Sequence, residues 1–346
     1  MVRVGVIGYG YWGPNLVRNL VETRLSTVVG VADLDQDRLD NVRRCYPHIV
    51  TLTDYRRLFD MGVDAIVVAT PPATHFRLAK ESIERGAHVM VEKPLTLDSR
   101  EAQELVELAE QRDRVLMAGH TFVYNPAVRA LKEIIDSGEL GDIYYIDAVR
   151  ASLGLFQRDL NVMWDLAPHD ITILQYLLGA DPQRISARGI GCVQRGVEDV
   201  VYLMLTFPGG VLAHVRLSWL DPCKTRKITV VGSKKMVVYD DVESLEKIKI
   251  YDKGVEKPPY TDTFGDFQFA YHYGSITIPS IRFTEPLRLQ CDHFLECVAT
   301  RTKPQSDGRS GMRVVQIIEA AQKSLRNGGL LEPIPEEVKR VERVMV

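Results

Sequence analysis

Hydrophobic residues occur in short runs along the first 120 residues, and polar stretches with helical spacing separate these runs. The stretch 98–113 is a clear example of a helix, because Asp98 and Glu101 form a capping-box pattern ahead of apolar residues that share one face. Uninterrupted apolar strands joined by helices indicate a parallel sheet with helices on both faces. The predicted strands are residues 3–7, 28–32, 65–69, 89–91 and 116–118.

The pattern changes from about residue 143 onward, where strand-like segments follow one another with little helix between them. Leu203, Leu205 and Phe207 show a period of two, and the turn residues Pro208–Gly210 separate them from the next alternating segment. This pattern predicts an antiparallel sheet. Its predicted strands are residues 143–152, 184–193, 199–207, 211–219 and 226–239.

Two helices are expected beside the second sheet, at residues 162–178 and 311–327. The segment 255–280 is rich in proline, tyrosine, glycine and phenylalanine, and we expect a long irregular excursion there. The chain is therefore expected to form two domains. An α/β domain with a parallel sheet would occupy residues 1–120, and an α+β domain with a large, mostly antiparallel open sheet would occupy residues 121–346.

The composition narrows the class of protein. The 346 residues include 43 Lys and Arg against 46 Asp and Glu, and this balance argues against a protein that binds nucleic acid or anionic lipid. No apolar run approaches the roughly 18 residues that span a bilayer, and no signal-peptide core is recognised at the start. The five scattered cysteines suit a reducing compartment, so we expect a cytoplasmic protein.

One group of potential metal ligands consists of Cys291, His293 and Cys297. On a helix, His293 and Cys297 would share a face while Cys291 points elsewhere, so the three side chains would not converge on one ion. We therefore expect buried free thiols at this place and no metal site.

The segment Gly8-Tyr-Gly10-Tyr-Trp-Gly13 follows the first predicted strand and precedes a helical stretch. In this setting the first glycine allows a tight turn, the second lets the backbone approach a pyrophosphate, and the third permits close packing of helix on strand. The N-terminus of the helix offers free N–H groups to the phosphates. The sequence therefore predicts a dinucleotide site of the Rossmann type, with cofactor-binding residues Gly8, Gly10, Tyr11, Trp12 and Gly13.

An acidic residue completes this motif, because Asp33 stands twenty residues after Gly13 at the end of the second predicted strand. Its carboxylate would bind the hydroxyls of the adenosine ribose and would repel a 2′-phosphate, and Asp35 would add to that repulsion. The motif therefore favours NAD over NADP. The alternative is a structural glycine turn with a surface aspartate.

Four further motifs, together with the glycine-rich turn, give the chain a family resemblance. The motifs occur in the same order as in the Gfo/Idh/MocA oxidoreductases, so the chain resembles that family over nearly its whole length. Residues 304–327 are similar to the closing segment of that family. The four motifs are Thr70-Pro-Pro-Ala-Thr-His75, Glu92-Lys93-Pro94, Gly119-His-Thr-Phe-Val-Tyr-Asn-Pro126 and Asp165-Leu-Ala-Pro-His169.

The resemblance implies that Lys93, Asp165 and His169 are the catalytic residues. Asp165 and His169 are four residues apart, so they share one face of a helix. A neutral His169 suits the role of base for a hydroxyl proton, and Lys93 suits the stabilisation of the alkoxide. Asp165 would orient the sugar or share the proton with His169. The alternative is a loop lysine and a structural Asp–His pair.

The resemblance also implies further residues of the cofactor pocket and of the substrate pocket. Trp164 could stack on a sugar or on the nicotinamide, or it could fill the core, and His75 could merely cap a helix. The predicted cofactor-binding residues are Thr70, Pro71, His75, Glu92 and Lys93, and the predicted substrate-binding residues are Lys93, Tyr124, Asn125, Trp164, Asp165 and His169.

The function implied by the resemblance is oxidation of a secondary hydroxyl of a sugar with NAD, and a nucleotide-activated sugar is favoured as substrate. A ketosugar reductase or an inositol dehydrogenase would use the same residues, and an NAD-binding sensor without turnover is an alternative of another class. Since an open antiparallel sheet needs a cover on its second face, we expect a homodimer or homotetramer formed through the C-terminal sheet.

Overall fold

The computed structural model describes residues 1–157, 160–256 and 270–336. The first part of the chain forms a parallel sheet of six strands, in the order β3-β2-β1-β4-β5-β6. This order confirms the predicted doubly wound sheet, and β3 is added to the five predicted strands. The strands are β1 (Val2–Ile7), β2 (Ser26–Ala32), β3 (Val50–Leu52), β4 (Ala65–Val68), β5 (His88–Glu92) and β6 (Leu116–Gly119).

Helices cover both faces of this sheet, which explains why β4 and β5 are buried along their whole length. The last helix of the group confirms the capping prediction, because the Asp98 carboxylate accepts a hydrogen bond from the Arg100 backbone N–H. The helices are α1 (Gly13–Glu22), α2 (Gln36–Cys45), α3 (Arg57–Asp60), α4 (His75–Glu84) and α5 (Ser99–Gln111).

The second sheet has nine strands in the order β14-β13-β12-β11-β7-β10-β9-β8-β15. Its pairs are antiparallel except at the centre, where β7 and β10 run parallel. The predicted mostly antiparallel open sheet is therefore confirmed. The strands are β7 (Ile143–Ala151), β8 (Arg184–Ile190), β9 (Val200–Thr206), β10 (Leu212–Ser218), β11 (Thr225–Gly232), β12 (Met236–Asp240), β13 (Ile248–Glu256), β14 (Ala270–Thr277) and β15 (Glu332–Pro333).

Two predictions for this sheet are wrong in detail. The single strand expected over 226–239 is a hairpin of β11 and β12, because the chain turns after Gly232, whose backbone N–H donates to the Lys235 carbonyl. The segment 255–280 is not irregular at its ends, since β13 continues to Glu256 and β14 begins at Ala270. Its middle part, 257–269, lies outside the described residues.

Four further helices lie later in the chain. The helix at 162–178 has the predicted bounds, and the one predicted at 311–327 begins three residues earlier. The helix at 286–300 packs against α1 and β1, so this late part of the chain contributes to the core around the parallel sheet. The four are α6 (Pro126–Asp136), α7 (Val162–Leu178), α8 (Pro286–Thr300) and α9 (Gly308–Arg326).

The nine-stranded sheet buries only one of its faces. On β9, Leu203 and Leu205 are fully buried, whereas Tyr202 and Met204 between them are 45% and 40% exposed. On the neighbouring β10, Leu212 is also exposed. The outer face therefore carries aromatic and aliphatic side chains in contact with solvent. Along the described part of the chain, none of the helices combines the length and the apolar character that a membrane crossing requires.

Candidate active site

The carboxyl ends of four parallel strands bring the sequence motifs together. Gly8 follows β1, Thr70 follows β4, Lys93 follows β5 and His120 follows β6. In doubly wound sheets, ligands bind at this edge. The helix α7 adds Asp165 from the other side, so the candidate site lies between the parallel sheet and the nine-stranded sheet.

The glycine-rich turn has the backbone that the motif predicts. Gly8 has φ +98°, and a Cβ atom there would lie 2.6 Å from the Ala69 carbonyl oxygen. A Cβ atom at Gly13 would lie 2.5 Å from the Gly8 carbonyl oxygen, so both positions require glycine. At Gly10, the nearest atom to such a Cβ is Arg38 Nη1 at 3.6 Å. Packing within the chain therefore does not demand glycine there, and the open space fits the approach of a pyrophosphate.

The two bulky residues of the turn lie in different surroundings. Tyr11 is 83% exposed, and Trp12 is half-buried directly ahead of α1. Their rings are 6.1 Å apart between centroids. Both side chains flank the N-terminus of α1, where a phosphate would bind.

Asp33 is anchored by the protein itself. Its Oδ2 accepts the Tyr9 N–H at 2.6 Å and its Oδ1 accepts the Asp35 N–H at 2.9 Å, and the side chain is only 7% exposed. Arg38 lies 3.5 Å from Asp33 and 3.3 Å from Asp35. Sequence analysis missed Arg38, whose signal would have been a cation five residues after the acidic residue of the motif. The predicted ribose site therefore contains a cation beside its two carboxylates.

The loop after β4 holds Thr70 and Pro71 at the same edge of the sheet. The Thr70 hydroxyl pairs with the Thr74 hydroxyl at 2.7 Å. His75 is fully buried, and its ring nitrogens lie 2.8 Å from the carbonyl oxygens of Thr70 and Pro94. Because its ring lies against a carbonyl oxygen of each loop, His75 packs the loop after β4 against the loop after β5.

Lys93 and Asp165 form an ion pair across the cleft. Lys93 Nζ donates to the Asp165 carboxylate at 2.9 Å and to the Asp165 carbonyl at 2.7 Å. The other carboxylate oxygen of Asp165 accepts the indole N–H of Trp219 at 3.1 Å. The two charged side chains are 14% and 20% exposed. Trp219, at the end of a predicted strand, is a site residue that sequence analysis did not single out.

His169 lies one helical turn beyond Asp165 on α7. Its ring meets the ring of Phe122 edge-on, with 5.0 Å between centroids. Burial lowers the pKa of His169 well below 6.5, and the positive charges of Lys93 and Arg150 lower it further. Its Nδ1 is buried and has no hydrogen-bond partner among the described residues. The neutral imidazole, which can accept a proton, is therefore the form present at neutral pH.

Two more buried polar groups lie at the ends of β5 and β6. Burial raises the pKa of Glu92 to about 7, against the opposing charge of Lys93. Burial, with the charge of Lys93, lowers the pKa of His120 to about 4. In the described residues, Glu92 Oε1 and both ring nitrogens of His120 have no hydrogen-bond partner. Such orphaned buried groups are points at which a bound molecule can supply the missing partner.

Three residues predicted at the substrate make their contacts inside the protein. The Tyr124 hydroxyl pairs with the Ser306 hydroxyl at 2.9 Å, and Asn125 caps α6. The Trp164 indole N–H donates to Gln322 Oε1 at 3.2 Å, and its side chain is largely buried. The contacts of Trp164 match the alternative in which it fills core. The positions of Tyr124 and Asn125 do not support the predicted contact with substrate.

Comparison with protein families matches two segments of the chain to one family. Residues 2–120 match the model described as oxidoreductase family, NAD-binding Rossmann fold (GFO/IDH/MocA). Residues 128–238 match the GFO/IDH/MocA C-terminal domain. The orphaned groups, the open space at Gly10 and the free helix end fit an NAD molecule at the first of these regions.

The chain is similar to known enzymes over most of its length. It is 26% identical to UDP-N-acetylglucosamine 3-dehydrogenase of Acidithiobacillus ferrooxidans, over 91% of this chain and 94% of that protein. It is 31% identical to inositol 2-dehydrogenase 1 of Saccharopolyspora erythraea, over 62% of this chain and 67% of that protein. A solved oxidoreductase from Agrobacterium radiobacter in complex with NAD+, L-tartaric acid and magnesium shares the fold, with a TM-score of 0.78, 18% identity and coverage of 96% and 98% of the two chains. The chain belongs to the Gfo/Idh/MocA family of NAD-binding oxidoreductases.

Proposed function

We propose that this chain oxidises a secondary hydroxyl group of a nucleotide-activated sugar, with Lys93, Asp165 and His169 as catalytic residues. The observation that carries the proposal is the meeting of Lys93 with Asp165 across the cleft, one helical turn from a neutral His169. A cation, an acceptor for a proton and a carboxylate are the groups that oxidation of an alcohol requires.

Lys93 holds the substrate hydroxyl in this mechanism. An ammonium group has three N–H donors, and two of those of Lys93 are engaged by Asp165. The third can donate to the hydroxyl oxygen and stabilise the negative charge that develops on it. Asp165 acts as the positioning group, because the Trp219 indole fixes its second oxygen. Oxidation therefore begins at a hydroxyl held by a pre-oriented cation.

His169 takes the hydroxyl proton. Its lowered pKa keeps the imidazole neutral, and the same positive surroundings make the protonated form short-lived, so the proton must be passed on to solvent. A bound NAD would supply the acceptor for the hydride of the substrate carbon at which the carbonyl forms. Glu92 and His120 offer unpaired polar atoms on the same side of the cleft and are proposed to contact the cofactor.

The substrate class rests on the relatives and on the charges around the cleft. One relative over nearly the full chain is named a UDP-N-acetylglucosamine 3-dehydrogenase. Arg226 extends from the nine-stranded sheet to 6.0 Å from the centre of the Phe122 ring, forms an ion pair with Asp241 at 3.3 Å, and its charge reaches His169. A cation in this position suits the diphosphate of an activated sugar. The second candidate is an inositol, favoured by the relative that is 31% identical.

The test is a substrate screen with the purified protein and NAD. Nucleotide sugars, free sugars and inositols are compared by the absorbance of the reduced nicotinamide. The proposal expects turnover with a nucleotide sugar and much weaker turnover with the free sugar. Turnover with inositols alone would replace it with the second candidate, and NAD binding without turnover of any member would favour a sensor.

We further propose that the chain assembles as a homodimer or homotetramer through the exposed face of the nine-stranded sheet, and that it works in the cytoplasm. Tyr145, Tyr202 and Leu212 lie on three neighbouring strands of this face and are each 45–47% exposed. A second copy of the sheet would remove these side chains from water. Light scattering at micromolar concentration tests the assembly, and a monomer would contradict it.

A further inference from the structure

The imidazole of His169 makes no hydrogen bond to any described residue. Its Nδ1 is buried without a partner, and Nε2 has no partner in the described part of the chain either. The χ2 angle of a histidine side chain has a broad, roughly two-fold distribution, so the rotamer alone does not fix the ring. A catalytic base must nevertheless present one particular nitrogen to the hydroxyl. The orientation of this imidazole therefore depends on the side chains that pack against it.

The ring of Phe122 packs directly against this imidazole. The two ring centroids are 5.0 Å apart and the ring planes are inclined by 64°, so the rings meet edge to face. This is a favourable arrangement of two aromatic rings. A flat ring at this distance leaves the imidazole little room to rotate about χ2, because rotation would bring the two rings into collision. Phe122 therefore limits the orientations that His169 can adopt.

The position of Phe122 is itself fixed by a guanidinium group. Arg150 lies 4.4 Å from the centre of the Phe122 ring, a distance at which cation and ring attract each other. Arg150 is in turn held by two hydrogen bonds to the Asp170 carboxylate. Because Asp170 directly follows His169 on α7, these contacts connect the Phe122 ring to the same helix that carries the base. The buried ion pair therefore sets the place of the ring relative to the imidazole.

The backbone that carries Phe122 is anchored as well. Phe122 lies in a single 3₁₀ turn, Thr121–Tyr124, which follows β6. The fully buried Tyr124 pairs with the Ser306 hydroxyl at 2.9 Å, and the Asn125 side chain caps α6. These are the two residues of the motif 119–126 whose predicted contact with substrate is not supported. Their contacts give them a different role, because they hold the turn that presents the Phe122 ring.

We propose that Phe122 is the positioning residue of the base: its ring orients the His169 imidazole by packing, in place of the hydrogen bond that orients many catalytic histidines. This role rests on the proposed function, in which His169 takes the hydroxyl proton. The Phe122 ring also covers part of the imidazole and so keeps water from it. The charged and titratable groups that act on the imidazole are Lys93, Arg150, His120 and Arg226.

The test compares Phe122→Leu with the matched control Phe59→Leu. Phe59 is also partly buried against the core and lies beside a guanidinium, since Arg85 is 5.6 Å from its ring centre, but it belongs to α3, which packs against β2. With saturating NAD and the compound that is turned over in the substrate screen, kcat of Phe122→Leu should fall about 10- to 100-fold, because the base is misplaced. KM and NAD affinity should stay within about threefold. The control should lose stability through its core packing and keep its kcat.

NMR titration of the His169 imidazole gives a readout that a merely structural role would not move. Burial is the main cause of its lowered pKa, so this pKa should rise toward 6.5 in Phe122→Leu, where water reaches the ring, and stay unchanged in Phe59→Leu. An unchanged His169 pKa in Phe122→Leu, or an equal loss of kcat in both variants, would overturn the proposal.

The titration requires no substrate, so it separates this proposal from the proposed function. A retained turnover in His169→Asn would refute the base, whereas the pKa in Phe122→Leu decides whether the ring packs as a positioning group. Should Phe122→Leu fail to fold, Phe122→Met provides the same test, because it keeps most of the side-chain volume and removes the flat ring. The same loss of kcat and rise of the His169 pKa are expected, and their absence would contradict the proposal.

Discussion

Two ion pairs on the same helix illustrate two different uses of charge in this protein. Asp165 and Asp170 both lie on α7, five residues apart. Asp170 binds Arg150 through two hydrogen bonds of 2.7 Å and 3.0 Å, and both side chains are buried. Asp165 binds Lys93 from the other sheet, and both partners remain partly exposed in the cleft.

The two ion pairs differ in whether a charged group remains available to contact a substrate. The bidentate pair of Arg150 and Asp170 is sealed in the interior, where the guanidinium packs 4.4 Å from the centre of the Phe122 ring. Phe122 in turn contacts His169. Lys93 keeps one N–H donor for a substrate beside a proton acceptor. The buried pair therefore supports the walls of the cleft, and the open pair is placed to act on the substrate.

The largest effect on turnover is expected at His169, the proton acceptor beside the open pair of Lys93 and Asp165. His169→Asn should lower kcat by about 10²- to 10⁴-fold, because the hydroxyl proton loses its base. NAD affinity, measured by titration of the protein with cofactor, should stay within about twofold. A variant that keeps most of its turnover would remove His169 from the mechanism.

Substitution in the buried pair of Arg150 and Asp170 should lower the stability of the protein. Asp170→Asn leaves the Arg150 charge buried without its counter-charge, so the free energy of unfolding in urea should fall by about 3–5 kcal/mol. The matched variant Asp165→Asn, at the pair that is 14% and 20% exposed, should lose less stability than Asp170→Asn while its turnover falls. Equal losses of stability in both variants would erase the distinction between the pairs.

The next effect is a pH dependence of stability at the cofactor side. His120 has its pKa lowered from 6.5 to about 4 on folding, so it contributes stability above pH 6.5 that is lost as the pH falls toward 4. His120→Gln removes this dependence. The difference in unfolding free energy between the two proteins should change by about 3 kcal/mol between pH 7 and pH 4. A difference that is independent of pH would contradict the buried neutral His120.

The smallest effect concerns cofactor choice. Asp33→Ala removes the carboxylate that would repel a 2′-phosphate and leaves Arg38 at the same place. The ratio of kcat/KM with NAD to that with NADP should fall about tenfold. The double variant with Arg38→Ala should recover no NADP activity. An unaltered ratio in Asp33→Ala would reject the assigned role of Asp33.

The cofactor half of the site could be predicted because its signals are local. Gly8, Gly13 and Asp33 act through backbone conformation and through neighbours on adjacent strands, so a single motif contains the information. Lys93 could be placed for the same reason, at the end of a predicted parallel strand. The parallel sheet with helices on both faces followed from the alternation of strand and helix, whereas the short strand β3 was missed.

The substrate half depends on contacts that no local pattern contains. Trp219 reaches Asp165 because the end of β10 lies beside α7, and Arg150 reaches Phe122 from β7. These contacts follow from the register of a nine-stranded sheet, which side-chain alternation alone does not fix. The turn after Gly232 was missed because both flanking segments have the same apolar alternation. Trp164 was ambiguous, since a large aromatic residue suits a pocket as well as a core.

The most direct test of the account is Lys93→Met, measured for turnover, for NAD affinity and for the pKa of His169 by NMR titration of its imidazole. The account predicts that turnover falls by at least about 100-fold and that NAD still binds. It also predicts that the pKa of His169 rises toward 6.5, because a positive charge near the imidazole is removed. Retained turnover together with an unchanged His169 pKa would show that the two groups do not share one cavity.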